Sequence, residues 1–103
     1  MYKRQLLEDN NVTHFEEPCP YWKPEETKKV TESLKIDVTG GEQDCDLRIW
    51  RDMVKRKIVN IFQPDVMYMG GLTKALKVAK IIEKGGFISV SYTHLTLPTI
   101  YSV

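Results

Sequence analysis

Three acids stand where short apolar runs of the chain end. Glu16 closes His14 and Phe15 in HFEEP, Glu42 follows Gly40 and Gly41 in GGEQD, and Asp65 follows Gln63 and Pro64 in QPD. They lie 26 and 23 residues apart, about the length of one strand-loop-helix-loop unit, so the repeat is architectural. Carboxylates at adjacent strand ends suit a hard divalent cation. Mg2+ takes oxygen ligands in an octahedron and keeps room for water or substrate. An ion held this way stabilises the second negative charge that develops when a proton leaves the carbon beside a substrate carboxylate. An acid-lined rim of this kind therefore fits enediolate chemistry.

The elements that position these acids follow from pattern. Strand alternation in the first run puts Val12, His14 and Glu16 on one face and Thr13, Phe15 and Glu17 on the other. Phe15 would pack under a helix layer, leaving Glu16 on the opposite face at the carboxyl end of the strand, where α/β folds bind ligands. His14 reads as an interior polar residue and Glu17 as a solvent or loop contact. Pro24 with Glu25 and Glu26 marks a helix start and predicts a helix to about Lys35 that buries Thr27, Val30 and Leu34. Strand two is predicted at 36–42. Asp44 or Asp46 then caps a helix in which Leu47, Trp50, Met53 and Val54 repeat at core spacing.

Strand three is predicted at 58–62, apolar on both faces as a buried parallel strand requires. After Gly70 and Gly71 comes a helix with Leu72, Ala75, Leu76, Ala79 and Ile82 on one stripe and Gly85 at its end. A fourth strand opens at Gly86. Upstream, 6–11 reads as the end of a helix closed by Asn10 and Asn11. The order is βαβαβαβ with parallel strands, about three and a half βα units. A closed eight-stranded barrel takes about 250 residues, so the fold class is α/β, a partial (β/α) TIM-type barrel.

The bulk numbers narrow the setting. With 42% hydrophobic and 28% charged residues, the chain has the composition of a globular domain rather than a disordered one. Fifteen basic and fourteen acidic residues leave a net charge of +1, which points to neither nucleic acid nor an anionic membrane. No apolar run approaches the ~20 residues of a membrane span. Cys19 and Cys45 are isolated, which suits a reduced cytoplasmic protein and a structural or incidental role for both.

The two ends have a common origin at the level of coding. MYKRQ can be encoded by a string whose reverse complement reads through Val90 to His94, VSYTH. This resembles transposase-adapter read-through. Residues 1–5 and 89–103 are accordingly expected to be adapter-like sequence, with 6–88 as the biological segment.

FEEP, GGEQD, QPD and the following MGGLTKALKVAKI resemble the enolase superfamily, in the mandelate racemase and muconate lactonizing enzyme-like branch that includes acid-sugar dehydratases. The resemblance covers nearly all of 6–88. It implies that Glu16 and Glu42 are Mg2+ ligands and that Asp65 is the aspartate partner of a catalytic histidine on the next strand. Gln43 and Asp44, beside a ligand position, are placed to touch substrate, although a helix cap explains Asp44 equally well.

The pattern also has departures. A first acidic ligand and a lysine base belong on strands preceding Leu6, and the expected histidine position holds Ser91 and Tyr92; His94 stands nearby and is not assigned. The resemblance implies a parent enzyme that abstracts the proton alpha to a carboxylate on a small substrate such as a sugar acid. Dehydration is the first reading and racemisation or epimerisation the second. The parent would be a homo-oligomer and the chain alone inactive. Two other readings are a cation-binding α/β module without catalysis and a library chimera without function.

Overall fold

Each apolar run of the sequence becomes a short strand, and each amphipathic run a helix that returns the chain to the start of the next. The computed structural model describes residues 2–90. Its elements are α1 (Tyr2–Asp9), β1 (His14–Glu16), α2 (Pro24–Ser33), β2 (Asp37–Gly40), α3 (Leu47–Arg56), β3 (Ile61–Phe62), α4 (Val66–Met69), α5 (Leu72–Lys84) and β4 (Ile88–Ser89). The four strands form one sheet in the order β1-β2-β3-β4, with all neighbours parallel. In register, His14, Phe15 and Glu16 stand beside Asp37, Val38 and Thr39, and Thr39 and Gly40 beside Ile61 and Phe62. Parallel pairing continues past the strand ends: Glu17 N–H donates to Thr39 O, Gln63 N–H to Gly40 O and Val90 N–H to Phe62 O, each at 2.9 Å. This is the predicted partial (β/α) barrel.

The helices cover one face of the sheet. Val38 and Phe62 point under them and join Trp50, Met53, Val54, Val78 and Ile82 in one core. Trp50 is fully buried, its ring 6.1 Å from Phe62, which in turn sits 5.2 Å from Phe87. Removing a tryptophan side chain from water contributes roughly 5 kcal/mol by transfer. Among the described residues the opposite face is open, with His14, Glu16, Asp37 and Ile88 exposed. His14 is therefore no interior residue in this chain. Among the described residues it meets the Thr13 hydroxyl, 2.7 Å from its Nδ1.

The differences from the pattern reading have local causes. Helix α1 begins at Tyr2, inside the stretch set aside as adapter-like. Lysine, arginine, glutamine and leucine all favour helix, and such a run extends one whatever its origin. The chain leaves α1 as expected, with the Asn10 side chain donating to Leu6 O at 2.7 Å. Strand three starts three residues later than predicted. Lys57 turns left-handed (φ 55°) to cap α3, and Ile58 N–H reaches back to Met53 O at 3.1 Å, so Ile58 and Val59 pack beneath the helix end before pairing begins. Helix α4 has no counterpart in the pattern. Asp65 starts it by accepting the Met67 N–H at 2.7 Å, and Gly70 closes it.

Gly41 ends β2 at φ +102°, and a Cβ there would lie 2.7 Å from Trp50 Cη2. Gly70 has a comparable dihedral, φ +80°, with nothing near it. Gly70→Ala should therefore show the left-handed penalty alone, about 1 kcal/mol. Gly41→Ala adds the clash and should lower stability by about 3 kcal/mol or more in urea unfolding. Equal losses at the two sites would refute the close packing of Trp50 on Gly41.

Candidate functional site

Glu16 is the last residue of β1 and stands beside Thr39, and Glu42 lies three residues beyond Thr39 at the same end of β2. Glu42 and Gln43 form the apex of a turn closed by Asp44 N–H donating to Gly41 O at 3.2 Å. Trp50 holds this turn from below, its indole N–H donating to Asp44 O at 2.9 Å. Asp65 follows β3 on the same rim. It is half-buried and occupied in capping α4, an arrangement compatible with a second donor because a carboxylate offers several lone pairs.

The three acids predicted to share a rim do share it, but they do not form one cluster. Among the described residues no group of three or more His, Cys, Asp or Glu is arranged to hold a metal ion. Glu16 and Glu42 do converge electrostatically, since both act on the carboxyl of Glu17. Burial first, then Glu42, then Glu16 push that group above the ordinary carboxylate range. Glu16 and Glu42 are thus a pair of hard oxygen donors from adjacent strands, a donor set that matches Mg2+ and is short of a full shell. Asp65 stands one strand further along. Ser91, Tyr92 and His94 lie outside the described residues.

Two residues differ from their pattern reading. Glu17 is not a simple solvent contact: its Oε1 is shielded and has no hydrogen-bond partner among the described residues. It turns toward Gly40, its Cγ 3.8 Å from where a Gly40 Cβ would stand. Asp44 is neither a cap nor a surface acid. Asp46 caps α3, accepting Arg48 N–H at 2.8 Å, and Arg48, through its side chain first and its backbone second, holds that carboxyl below the usual range. Asp44 is only 7% exposed. It lines a cavity of about 30 Å3 under the rim together with Glu17. Nothing in GGEQD marks the fifth residue rather than the third as the buried acid. Both cysteines are free thiols; Cys19 is half-buried and Cys45 exposed.

A family model described as enolase C-terminal domain-like matches residues 2–96. The chain belongs to this family. Among curated proteins, arabinonate dehydratase of Saccharolobus solfataricus is 25% identical over 81 residues, 79% of this chain and 22% of that protein. Among solved structures, a protein from Roseobacter denitrificans assigned as a racemase is 43% identical with a TM-score of 0.84, covering 95% of this chain and 27% of that one. The L-talarate/galactarate dehydratase of Salmonella typhimurium LT2, crystallised with Mg and L-lyxarohydroxamate, is 22% identical with a TM-score of 0.89, covering 99% and 27%. The enolase-family chain thus spans about a quarter of the length of these relatives. None of its described helices is long and apolar enough to cross a membrane.

Burial, then the nearby Glu17 carboxylate, push Asp44 from 3.8 up to about 6. Because the folded-state value is raised, Asp44 favours the fold below about pH 4, and this contribution is lost as pH rises through 6. The loss is at most about 3 kcal/mol and is reduced by solvent screening of the part of the carboxyl that water reaches. Asp44→Asn should flatten the pH dependence of urea unfolding between pH 4 and 7.5 and stabilise the chain at the upper end. An unchanged slope would show that the carboxyl is solvated.

Proposed function

We propose that this chain is part of a Mg2+-dependent enzyme that removes the proton alpha to a carboxylate, with an acid-sugar dehydratase as the first reading. The observation that carries the proposal is the pairing of Glu16 and Glu42, two carboxylates at the carboxyl ends of adjacent parallel strands. These two residues would hold the ion. Bound there, Mg2+ supplies positive charge beside the substrate carboxylate as the neighbouring carbon loses its proton. Gln43, at the apex of the same turn, is placed to hydrogen-bond a substrate hydroxyl or carboxylate.

Asp65 would orient an imidazole from the following strand and raise its basicity while capping α4. Family membership supports the enzyme class, and the talarate/galactarate and arabinonate dehydratases support a sugar acid as the substrate class. The similarity to the Roseobacter denitrificans protein favours racemisation as the second reading. Both begin with the same proton abstraction and differ in what leaves or returns. We assign the parent to the cytoplasm as a homo-oligomer. Its partners would be small carboxylates, not nucleic acid or membranes.

The test uses the full-length parent gene and a panel of sugar acids in D2O. Alpha-proton exchange with release of a keto acid supports the dehydratase, and exchange with inversion alone supports the racemase. Glu16→Gln and Glu42→Gln should each lower kcat/KM by about 100-fold or more. The 103-residue chain, spanning about a quarter of its relatives, should show no turnover. Full exchange activity in the Glu42→Gln parent would sink the assignment.

A further inference from the structure

The turn that carries Glu42 and Gln43 has both of its corners on one side chain. Gly41 and Asp44 are its first and fourth residues, joined by Asp44 N–H donating to Gly41 O at 3.2 Å. The six-membered end of the Trp50 indole lies under Gly41, where a Cβ would come within 2.7 Å of Cη2 and 3.3 Å of Cζ3. The other end of the same ring donates its N–H to Asp44 O at 2.9 Å. The last ladder bond on β2 runs from Gln63 N–H to Gly40 O. Beyond it, the indole ties the turn to the helix layer.

We propose that Trp50 is a positioning residue for the rim, acting through the Asp44 carbonyl and the Gly41 backbone to set where Glu42 and Gln43 stand. The inference rests on the reading of Glu42 as an ion ligand and goes beyond it, because a fully buried ring touches neither ion nor substrate. An indole is a rigid, planar group with one N–H donor and no acceptor. The separation of its two contacts is therefore fixed by covalent geometry. Its root is fixed as well. Trp50 lies in the first turn of α3 with its backbone N–H donating to Asp46 O at 3.1 Å, and Asp46 in turn accepts the Arg48 N–H at 2.8 Å.

Packing alone does not call for this residue. A phenyl ring at position 50 would keep most of the apolar burial under Gly41, but it would leave the Asp44 carbonyl without its donor. A carbonyl stripped of its partner turns toward water or another donor, and a shift at one corner of a four-residue turn is passed to the two residues between the corners. Glu16 has ladder bonds beside it: it is the last residue of β1, and the Glu17 N–H donates to Thr39 O. Glu42 lies two residues past the last ladder bond on its own strand, so its place opposite Glu16 depends on the indole.

The test reads ion binding directly, apart from turnover. Mn2+, which takes the same oxygen ligands as Mg2+ and whose free form is counted by electron paramagnetic resonance, is titrated into the full-length parent and displaced with Mg2+. Glu42→Gln should weaken Mn2+ binding by about tenfold or more. Trp50→Phe removes the N–H, and so does Trp50→benzothienylalanine, in which sulfur replaces the N–H in a ring of nearly the same shape. Each should weaken Mn2+ binding by about three- to tenfold, the worth of one hydrogen bond. Val78→Ala hollows the same core from α5, and should lower the urea midpoint while leaving Mn2+ binding within about twofold. If both variants without the N–H bind Mn2+ like the unaltered parent while Glu42→Gln does not, the inference is overturned and the ion reading stands. It is also overturned if Val78→Ala weakens Mn2+ binding as much as Trp50→Phe. Glu42→Gln without effect on Mn2+ removes the ion reading and this inference with it. If Trp50→Phe does not fold, the benzothienylalanine variant decides.

Discussion

The burial of Trp50 is the constraint on which the rest of the site depends. Its ring fills the space below Gly41 so tightly that no side chain fits there, and its N–H takes the carbonyl of Asp44. Those two contacts bracket Glu42 and Gln43, so the turn at the end of β2 is fixed from beneath by the core. The same ring leads through Phe62 to Phe87 and joins α3, β3 and the entry to β4 into one aromatic path. Roughly 5 kcal/mol of transfer energy for one tryptophan outweighs the ~1–2 kcal/mol that a left-handed backbone residue costs. That balance lets a loop carry an acid with the precision of a strand.

A second constraint is the period of two along β1. It sends Glu16, the last strand residue, to the open side, while Glu17, just past the end, turns toward Gly40. Glu17 completes the turn with φ 42°, a conformation few non-glycine residues adopt, while its N–H stays bonded to Thr39 O. Two adjacent acids thereby acquire different environments. Glu16 is exposed; Glu17 is half-buried and lines the cavity under the rim together with Asp44. Burial raises both carboxyls, with Glu42 and then Glu16 adding at Glu17 and Glu17 adding at Asp44, so the acids at this end of the sheet act on one another across the two sides.

Much of this arrangement was legible in the residues. Trp50, Met53 and Val54 carry helical spacing after an aspartate cap, and Pro24 with two acids marks the start of α2, because those signals are local. The rim placement of Glu16, Glu42 and Asp65 came from their recurrence, a signal that survives errors in element boundaries. What failed needed three dimensions. Lys57 gives no sequence hint of a left-handed cap, since glycine is the residue that usually announces one. Asp65 was read for chemistry and not as the residue that starts α4. Val78 is fully buried although the apolar stripe of α5 does not include it, while Leu72, on the stripe, is exposed.

The open face explains the remaining mismatch. In a closed barrel the inward residues of alternate strands pack in layers. Here the corresponding positions, His14, Asp37 and Ile88, meet solvent among the described residues, and the sheet edges at β1 and β4 lack further strands there. Parallel edges with unpaired backbone groups are poor end points for a soluble protein. The acid pair on the rim nevertheless keeps its place, because it is held by Trp50 and the β1–β2 ladder and not by the absent interior. The turn that carries Glu42 is therefore set by the core beneath it, through the Trp50 contacts with Gly41 and Asp44, and not by what lies across the open face.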